Sequence, residues 1–195
     1  MSKMAYWAEF SKGNVGLPSA YAKSGAGNFV LIDGGAAGGI SEPFDAVDSI
    51  ITAVRFEPRG ANVVELSRGD IHIDGGLWSE DTEKTLHVAR NPKSSSICKP
   101  NEGFLRQFED RYGLGARSTE KKIKVNLRSI DSCTTKQEIP LPNFIKLDVH
   151  SAELPALEGA KNSLDECVGL LVETWHSMVH EGQGLHYEVE KFAID

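Results

Sequence analysis

The chain has 195 residues, of which 40% are hydrophobic and 25% are charged, and these values are typical of one globular domain. The formal net charge of −7 argues against sequence-independent binding to nucleic acid, so we expect no nucleic-acid partner. No apolar run approaches the ~20 residues of a membrane helix, and no apolar signal core opens the chain. The three cysteines are far apart and show no metal-binding spacing. These features predict a soluble cytoplasmic protein without a membrane partner.

The first 75 residues alternate short apolar runs with helix signals. Residues 29–32 predict a strand buried on both faces, and Ser41-Glu42-Pro43 predicts a helix start, because serine caps helices and proline is accepted in the first turn. Further strands are predicted over residues 51–56 and 70–74, with a short helix over residues 60–67 between them. This alternation predicts parallel strands joined by right-handed crossovers.

The middle of the chain is less regular than its two ends. We predict that residues 85–130 are an insertion into a core that spans residues 29–176, within a single domain over residues 1–195. The elements predicted from there on are a hairpin arm over residues 85–89, a short helix over 103–112, strands over 122–130, 144–149 and 169–174, and helices over 152–164 and 187–194.

The pattern as a whole predicts an α/β, Rossmann-like fold, a mostly parallel sheet with helices on both faces. In such a sheet, ligands bind beyond the carboxyl ends of the strands. The candidate cofactor-binding residues therefore follow the first three strands. They are Asp33, Gly34, Gly35, Ala36 and Gly38 after the first, Glu57 and Pro58 after the second, and Gly76 and Leu77 after the third.

The chemistry of these residues favours S-adenosylmethionine over a dinucleotide. Glycines let the backbone approach a ligand closely, and Glu57 can accept hydrogen bonds from two ribose hydroxyls. The glycine loop lacks the G-x-G-x-x-G pattern of dinucleotide sites. Asp33 would repel a pyrophosphate, whereas it can face the ammonium group of an amino-acid tail.

Several motifs, in this order, resemble those of the FkbM-type methyltransferases. The resemblance covers roughly residues 29–176, and its most specific part is the segment around Asp148. The matching segments are Asp-Gly-Gly-Ala-Ala-Gly-Gly at residues 33–39, against the family's Asp-Val-Gly-Ala-Asn-x-Gly; Phe-Glu-Pro at 56–58; Ser-Ser-Ile at 95–97; Ile-Lys-Leu-Asp-Val-His-Ser-Ala-Glu-Leu at 145–154; Leu-Glu-Gly-Ala at 157–160; and Leu-Val-Glu at 171–173.

The resemblance implies a class I, S-adenosylmethionine-dependent methyltransferase that acts on a hydroxyl oxygen of a sugar or a small natural product. A hydroxyl is a poor nucleophile until a base removes its proton. Asp148, which would also lie beside the donor, His150 and His176 are therefore the candidate catalytic residues. We expect no metal, because the acids and histidines after the last two strands match no compact ligand motif.

Two departures from the family's pattern leave alternatives open. Where the family usually has Glu-Gly, this sequence has His150-Ser151, beside Asp148. The identities of the acceptor and of the catalytic base are therefore open. A module that binds the donor without catalysis remains an alternative. The family's last pair of strands is expected to be absent from this sequence, which would leave a sheet edge exposed. A nucleotide-dependent oxidoreductase is a weaker alternative, because the G-x-G-x-x-G loop is missing. The sequence gives no oligomeric state.

Overall fold

The computed structural model describes residues 27–36, 40, 43–59 and 69–194, and the fold is given for these residues. Within them, a five-stranded sheet has the order β3-β2-β1-β7-β8, and every neighbouring pair is parallel. The Rossmann-like α/β prediction is therefore confirmed. The strands of this sheet are β1 (Phe29–Gly34), β2 (Ile51–Glu57), β3 (Ile71–Asp74), β7 (Phe144–Leu147) and β8 (Gly169–Val172).

Both faces of the central strands are covered, as their continuous apolar runs predict. In β1, Leu31 and Ile32 point to opposite faces, yet both are almost fully buried. Ile32 belongs to the larger core, which includes Ile145 of β7. Leu31 packs on the other face with Phe44. A buried central sheet places its strand ends firmly, which is what a ligand site at those ends requires.

The helix predicted over residues 187–194 is present as His186–Ile194, whereas other helices are shorter than the sequence predicts. Residues 60–67 and Ser41 lie outside the described residues, and a 3₁₀ helix runs from Phe44 to Ile50. None of the described helices is long and apolar enough to span a bilayer. The remaining helices are 3₁₀ helices over Pro92–Ser94 and Ser163–Glu166, and α1 (Glu102–Leu105), α2 (Leu114–Arg117), α3 (Ile130–Thr135), α4 (Glu153–Glu158) and α5 (His186–Ile194).

Two predicted helices are wrong in extent. The helix predicted over residues 152–164 breaks after α4, because the Gly159 carbonyl accepts a hydrogen bond from the Asp131 amide at 2.9 Å. A Cβ at Gly159 would also stand 2.1 Å from the Trp78 carbonyl oxygen, so this close contact requires glycine. The helix predicted over residues 103–112 ends as α1 at Leu105 and continues as turns.

A second sheet is built from the middle of the chain. It has the order β4-β6-β5, in which β5 and β6 are antiparallel and β4 is parallel to β6. The predicted strands are present, although both begin earlier than predicted and the second ends at Arg128. That residues 85–130 are an insertion stays a prediction. The strands are β4 (Gly76–Leu77), β5 (Thr82–Ala89) and β6 (Thr119–Arg128).

Gly35 sets the distance between the ends of β1 and β7. Its φ is +84°, and a Cβ at this position would stand 2.0 Å from the Asp148 carbonyl oxygen. We expect Gly35→Ala to lower the free energy of unfolding by more than about 3 kcal/mol, because it combines an unfavourable φ with overlap against backbone. Urea unfolding of the purified chain measures this.

The matched control for that substitution is Gly182→Ala. Gly182 has a similar φ of +72°, but no described atom lies within 4 Å of the added Cβ. Only the left-handed backbone cost of about 1–2 kcal/mol should therefore appear. Equal losses in the two variants would contradict the close approach at Gly35.

Candidate functional site

A cavity of about 400 Å³ lies at the carboxyl ends of the central strands. Its volume is in the range of small-molecule sites, and its place in the fold is where open parallel sheets bind ligands. Many of the residues predicted from the sequence line it. These are Gly35, Glu57, Pro58, Gly76, Leu77, Asp148 and His150.

Other predicted site residues lie elsewhere. Gly34 is buried, and a Cβ there would meet the side chain of Leu77, so Gly34 permits packing instead of lining the cavity. Ala36 is half-buried and also does not line it, and Gly38 lies outside the described residues. His176 is exposed, and its ring centroid is 4.7 Å from that of His186.

Asp33 is paired with a lysine that the sequence analysis did not select. The two residues are register partners on β1 and β7, and the Lys146 Nζ lies 2.8 Å from Asp33 Oδ1. Asp33 is only 1% exposed, so its carboxylate is neutralised inside the sheet, while Lys146 lines the cavity. The expected ammonium partner of Asp33 is thus supplied by the protein itself. This ion pair cannot be predicted from the sequence alone, because 113 residues separate Asp33 from Lys146.

Glu57 has one side of its carboxylate occupied. Oε1 accepts hydrogen bonds from the Arg59 amide at 3.1 Å and from Arg59 Nε at 2.9 Å, whereas Oε2 is 3.4 Å from Arg59 Nη2. Arg59 also donates to the Pro92 carbonyl oxygen at 2.8 Å, which ties the end of β2 to residues 92–98. A carboxylate has about four acceptor positions. Oε2 therefore retains capacity for ligand hydroxyls.

The turn after β7 is strained and is held by side-chain hydrogen bonds from residues 96 and 98. His150 and Ser151 have φ values of +50° and +82°, a left-handed conformation that non-glycine residues rarely adopt. The Ser96 hydroxyl donates to the His150 carbonyl at 2.5 Å, and Cys98 Sγ donates to the Ser151 carbonyl at 3.6 Å. The segment that resembles the family's Ser-Ser motif thus holds the His150 backbone in place.

A buried polar network lies beneath this turn. Ser151 Oγ is 2.6 Å from His180 Nδ1 and 3.3 Å from Gln183 Oε1, and all three residues are buried. Burial lowers the pKa of His180 to about 4, so its imidazole is neutral near pH 7. The family usually has glycine at position 151. The serine found here bonds His180, and a glycine could not make this hydrogen bond.

The ends of β7 and β8 bring three potential ligand side chains together. Asp148, His150 and Glu173 each offer a polar atom, and these atoms all lie within 4.8 Å of one another. Burial lowers the pKa of His150, an effect that the Asp148 charge partly offsets. Burial, followed by the Asp148 charge, raises the pKa of Glu173 to about 8. Glu173 was noted in the sequence as a strand-end acid but was not selected as a site residue.

A cationic side chain, Arg117, lies near Glu173. The Arg117 guanidinium lies 5.8 Å from the Trp175 ring centroid and donates to the Tyr112 carbonyl. Burial lowers the pKa of Arg117, and the Glu173 charge opposes this shift. Sequence analysis missed Arg117, because it lies in the irregular middle segment and reaches this place only through the fold.

The sheet topology and the cavity at its strand ends define a Rossmann-like domain of the methyltransferase type. The chain belongs to the FkbM methyltransferase family, whose Methyltransferase FkbM domain matches residues 47–193. It is similar to a solved structure, methyltransferase FkbM from Methylobacillus flagellatus KT, at 16% sequence identity and a TM-score of 0.42. That match covers 79% of this chain and 36% of the other, so the chain spans about a third of that protein's length. No curated protein matches the chain.

Substitutions at Ser151 separate backbone strain from hydrogen bonding. We expect Ser151→Ala to lower the free energy of unfolding by about 1–3 kcal/mol, because it leaves His180 without its partner and keeps the left-handed φ. Ser151→Gly loses the same hydrogen bonds but relieves the strain, so it should be more stable than the alanine variant by about 1 kcal/mol. Urea unfolding of both variants gives the comparison. An alanine variant as stable as the glycine variant would show that the turn is unstrained.

Proposed function

We propose that this protein is an S-adenosylmethionine-dependent methyltransferase that methylates a hydroxyl oxygen on a small sugar or natural-product-like acceptor. The observation that carries the proposal is the cavity at the strand ends, in which Glu57 lies at one side and Asp148 with His150 at the other. Membership of the FkbM family supports methyl transfer. The cofactor, the acceptor class and the site residues are the parts that experiment must test.

The donor would occupy the side of the cavity formed by the ends of β1 and β2. Glu57 Oε2 would accept hydrogen bonds from the ribose hydroxyls, and the backbone at Gly35 would allow close approach. Pro58, Gly76 and Leu77 supply apolar surface for the adenine ring. The Lys146 ammonium would attract the carboxylate of the amino-acid tail, with Asp33 holding the lysine in place. When bound, the donor supplies an electrophilic methyl group on a positively charged sulfur.

The acceptor would enter over Asp148 and His150. Its hydroxyl oxygen forms the new bond to the methyl carbon while the bond between carbon and sulfur breaks, and the electron pair of that bond stays on sulfur. The hydroxyl proton passes to the protein. The His150 imidazole is suited to accept it, because it lines the cavity and burial lowers its pKa, which favours the neutral ring. The exposed position of His176 leaves it outside this proposal.

The oxidoreductase alternative gains no support from the described residues. The sequence contains one Tyr-x-x-x-Lys spacing, from Tyr187 to Lys191, and it lies on α5. Tyr187 is 64% exposed, and neither residue lines the cavity. A catalytic tyrosine must reach the ligand, so this pair does not favour hydride transfer.

Calorimetry of S-adenosylmethionine binding tests the donor site. We expect the wild-type chain to bind, and Glu57→Gln to weaken binding about tenfold or more, as loss of a charge-assisted hydrogen bond of ~1.5–3 kcal/mol predicts. The matched control is Glu83→Gln, because Glu83 is an exposed glutamate that pairs with Lys124 outside the cavity. It should bind like the wild type. No heat from a folded wild-type chain would refute the donor assignment.

Turnover distinguishes an enzyme from a module that only binds the donor. With a panel of sugars as acceptors, we expect formation of S-adenosylhomocysteine by the wild type and a rate at least about 10²-fold lower in His150→Asn, the usual contribution of a positioned base. Asparagine tolerates the left-handed φ of residue 150, so the turn should persist. Donor affinity should stay within about twofold. Donor binding without turnover on any acceptor would favour the non-catalytic alternative.

A further inference from the structure

The backbone places Asp148 and Glu173 side by side. In the parallel pair of β7 and β8, Leu147 and Val172 are register partners, and the Glu173 amide donates to the Leu147 carbonyl at 2.8 Å. Asp148 and Glu173 are the next residues on their strands, so their carboxylates emerge at neighbouring strand ends. The turn with positive φ then brings His150 back towards them.

Two of the facing atoms lack the partners that buried polar atoms normally have. His150 Nδ1 and Glu173 Oε2 are both inaccessible to solvent and make no hydrogen bond with any described residue. They are 3.7 Å apart, which is too long for a hydrogen bond between them. Most buried polar groups in proteins are satisfied, so a pair of unsatisfied atoms that face each other calls for a third group between them.

A charged side chain of the protein does not fill that role. Arg117 contributes positive charge near Glu173. Its guanidinium, however, is held by the Tyr112 carbonyl and the Trp175 ring, and it forms no ion pair with Glu173. Lys146, the other cation at this edge of the sheet, is already paired with Asp33. The cluster therefore holds one imidazole and two carboxyl groups, and no lysine or arginine among the described residues forms an ion pair with them.

We propose that Asp148, His150 and Glu173 form a binding site for one divalent metal ion of the Mn²⁺ type, at the acceptor end of the cavity. Two ligands that each lie ~2.1 Å from one ion are at most ~4.2 Å apart. The observed limit of 4.8 Å thus needs side-chain shifts of a few tenths of an ångström. Two oxygen ligands and one nitrogen, with no thiolate, suit Mn²⁺ better than a copper or iron–sulfur site.

The role of the ion deepens the proposed function and rests on it. Three protein ligands leave coordination positions open, as in catalytic metal sites, and Asp148 and His150 also line the cavity. An acceptor hydroxyl that binds at an open position would be oriented by the ion, and its pKa would fall. Its proton would pass to a carboxylate oxygen that does not bind the ion, and His150 would then act as a ligand instead of a base.

Titration of the whole chain with Mn²⁺, followed by the electron paramagnetic resonance signal of free Mn²⁺, tests the site without donor, acceptor or turnover. We expect one Mn²⁺ per chain, with affinity at least about tenfold lower in Glu173→Gln and in Asp148→Asn. Glu190→Gln is the matched control, because Glu190 is an exposed glutamate on α5. Its affinity should equal that of the wild type. Thermal melting without metal checks that each variant is folded.

The outcomes separate this inference from the proposed function. No Mn²⁺ binding by the folded wild type at millimolar concentration, or equal affinity in the wild type and both cluster variants, would overturn the metal site. Calorimetry of S-adenosylmethionine in metal-free buffer reports on the donor site independently. Donor binding without Mn²⁺ binding would contradict the metal site but leave the methyltransferase proposal standing. Mn²⁺ binding that depends on Glu173 without donor binding would support the metal site and remove its proposed role in methyl transfer.

Discussion

The parallel pairing of β1 with β7 is the interaction on which the rest of this structure depends. It joins segments that are more than a hundred residues apart, so the chain must close a long loop before the two strands can pair. Once they pair, Gly35 lies against the Asp148 carbonyl, and the Asp148 amide donates to the Gly34 carbonyl at 3.1 Å. The glycine-rich end of β1 and the acidic end of β7 thereby become the two sides of one cavity.

Three buried charges near this pairing are each matched by an opposite charge. Asp33 pairs with Lys146, Arg55 pairs with Asp70 at 2.8 Å, and Glu57 is held by Arg59. An unpaired charge inside a protein costs several kcal/mol, so each pair permits a charged residue inside an otherwise apolar sheet. The cluster of Asp148, His150 and Glu173 differs from these pairs, because no lysine or arginine among the described residues pairs with it and two of its facing atoms, His150 Nδ1 and Glu173 Oε2, make no hydrogen bond. Its difference from the matched pairs around it is the reason to interpret it as a ligand site and not as part of the scaffold.

The sequence is sufficient to predict the sheet because burial on both faces imposes a simple pattern. Apolar runs such as Val30 to Ile32 are typical of central strands, and glycine or acid residues just after them mark the ligand edge. The helices are less predictable. Their lengths are set by tertiary contacts such as that of Gly159 with Trp78, which no periodicity within the helix reveals.

Some site residues could likewise be predicted from the sequence, and others could not. Glu57 and Asp148 could be predicted, because their position after a strand defines their place in space. Arg59 and Lys146 could not, since their roles arise from the partners that they meet across the fold. Glu173 is an intermediate case: its strand was predicted, but its relation to Asp148 depends on which strands are neighbours. A linear ligand motif describes residues on one segment, so it cannot detect ligands from two adjacent strand ends.

The turn at His150 and Ser151 fixes the position of a side chain to which the proposed function assigns a chemical role. A left-handed conformation at two successive non-glycine residues costs free energy and persists only where the surroundings enforce it. Here the Ser96 hydroxyl bonds the His150 carbonyl, and His180 bonds the Ser151 hydroxyl, so both residues of the turn are held by the surrounding structure. Glycine at position 151 would adopt the turn more easily but would leave His180 without its partner. The strained backbone of this turn thus holds the His150 ring in a fixed position. As a result, its Nδ1 faces Glu173.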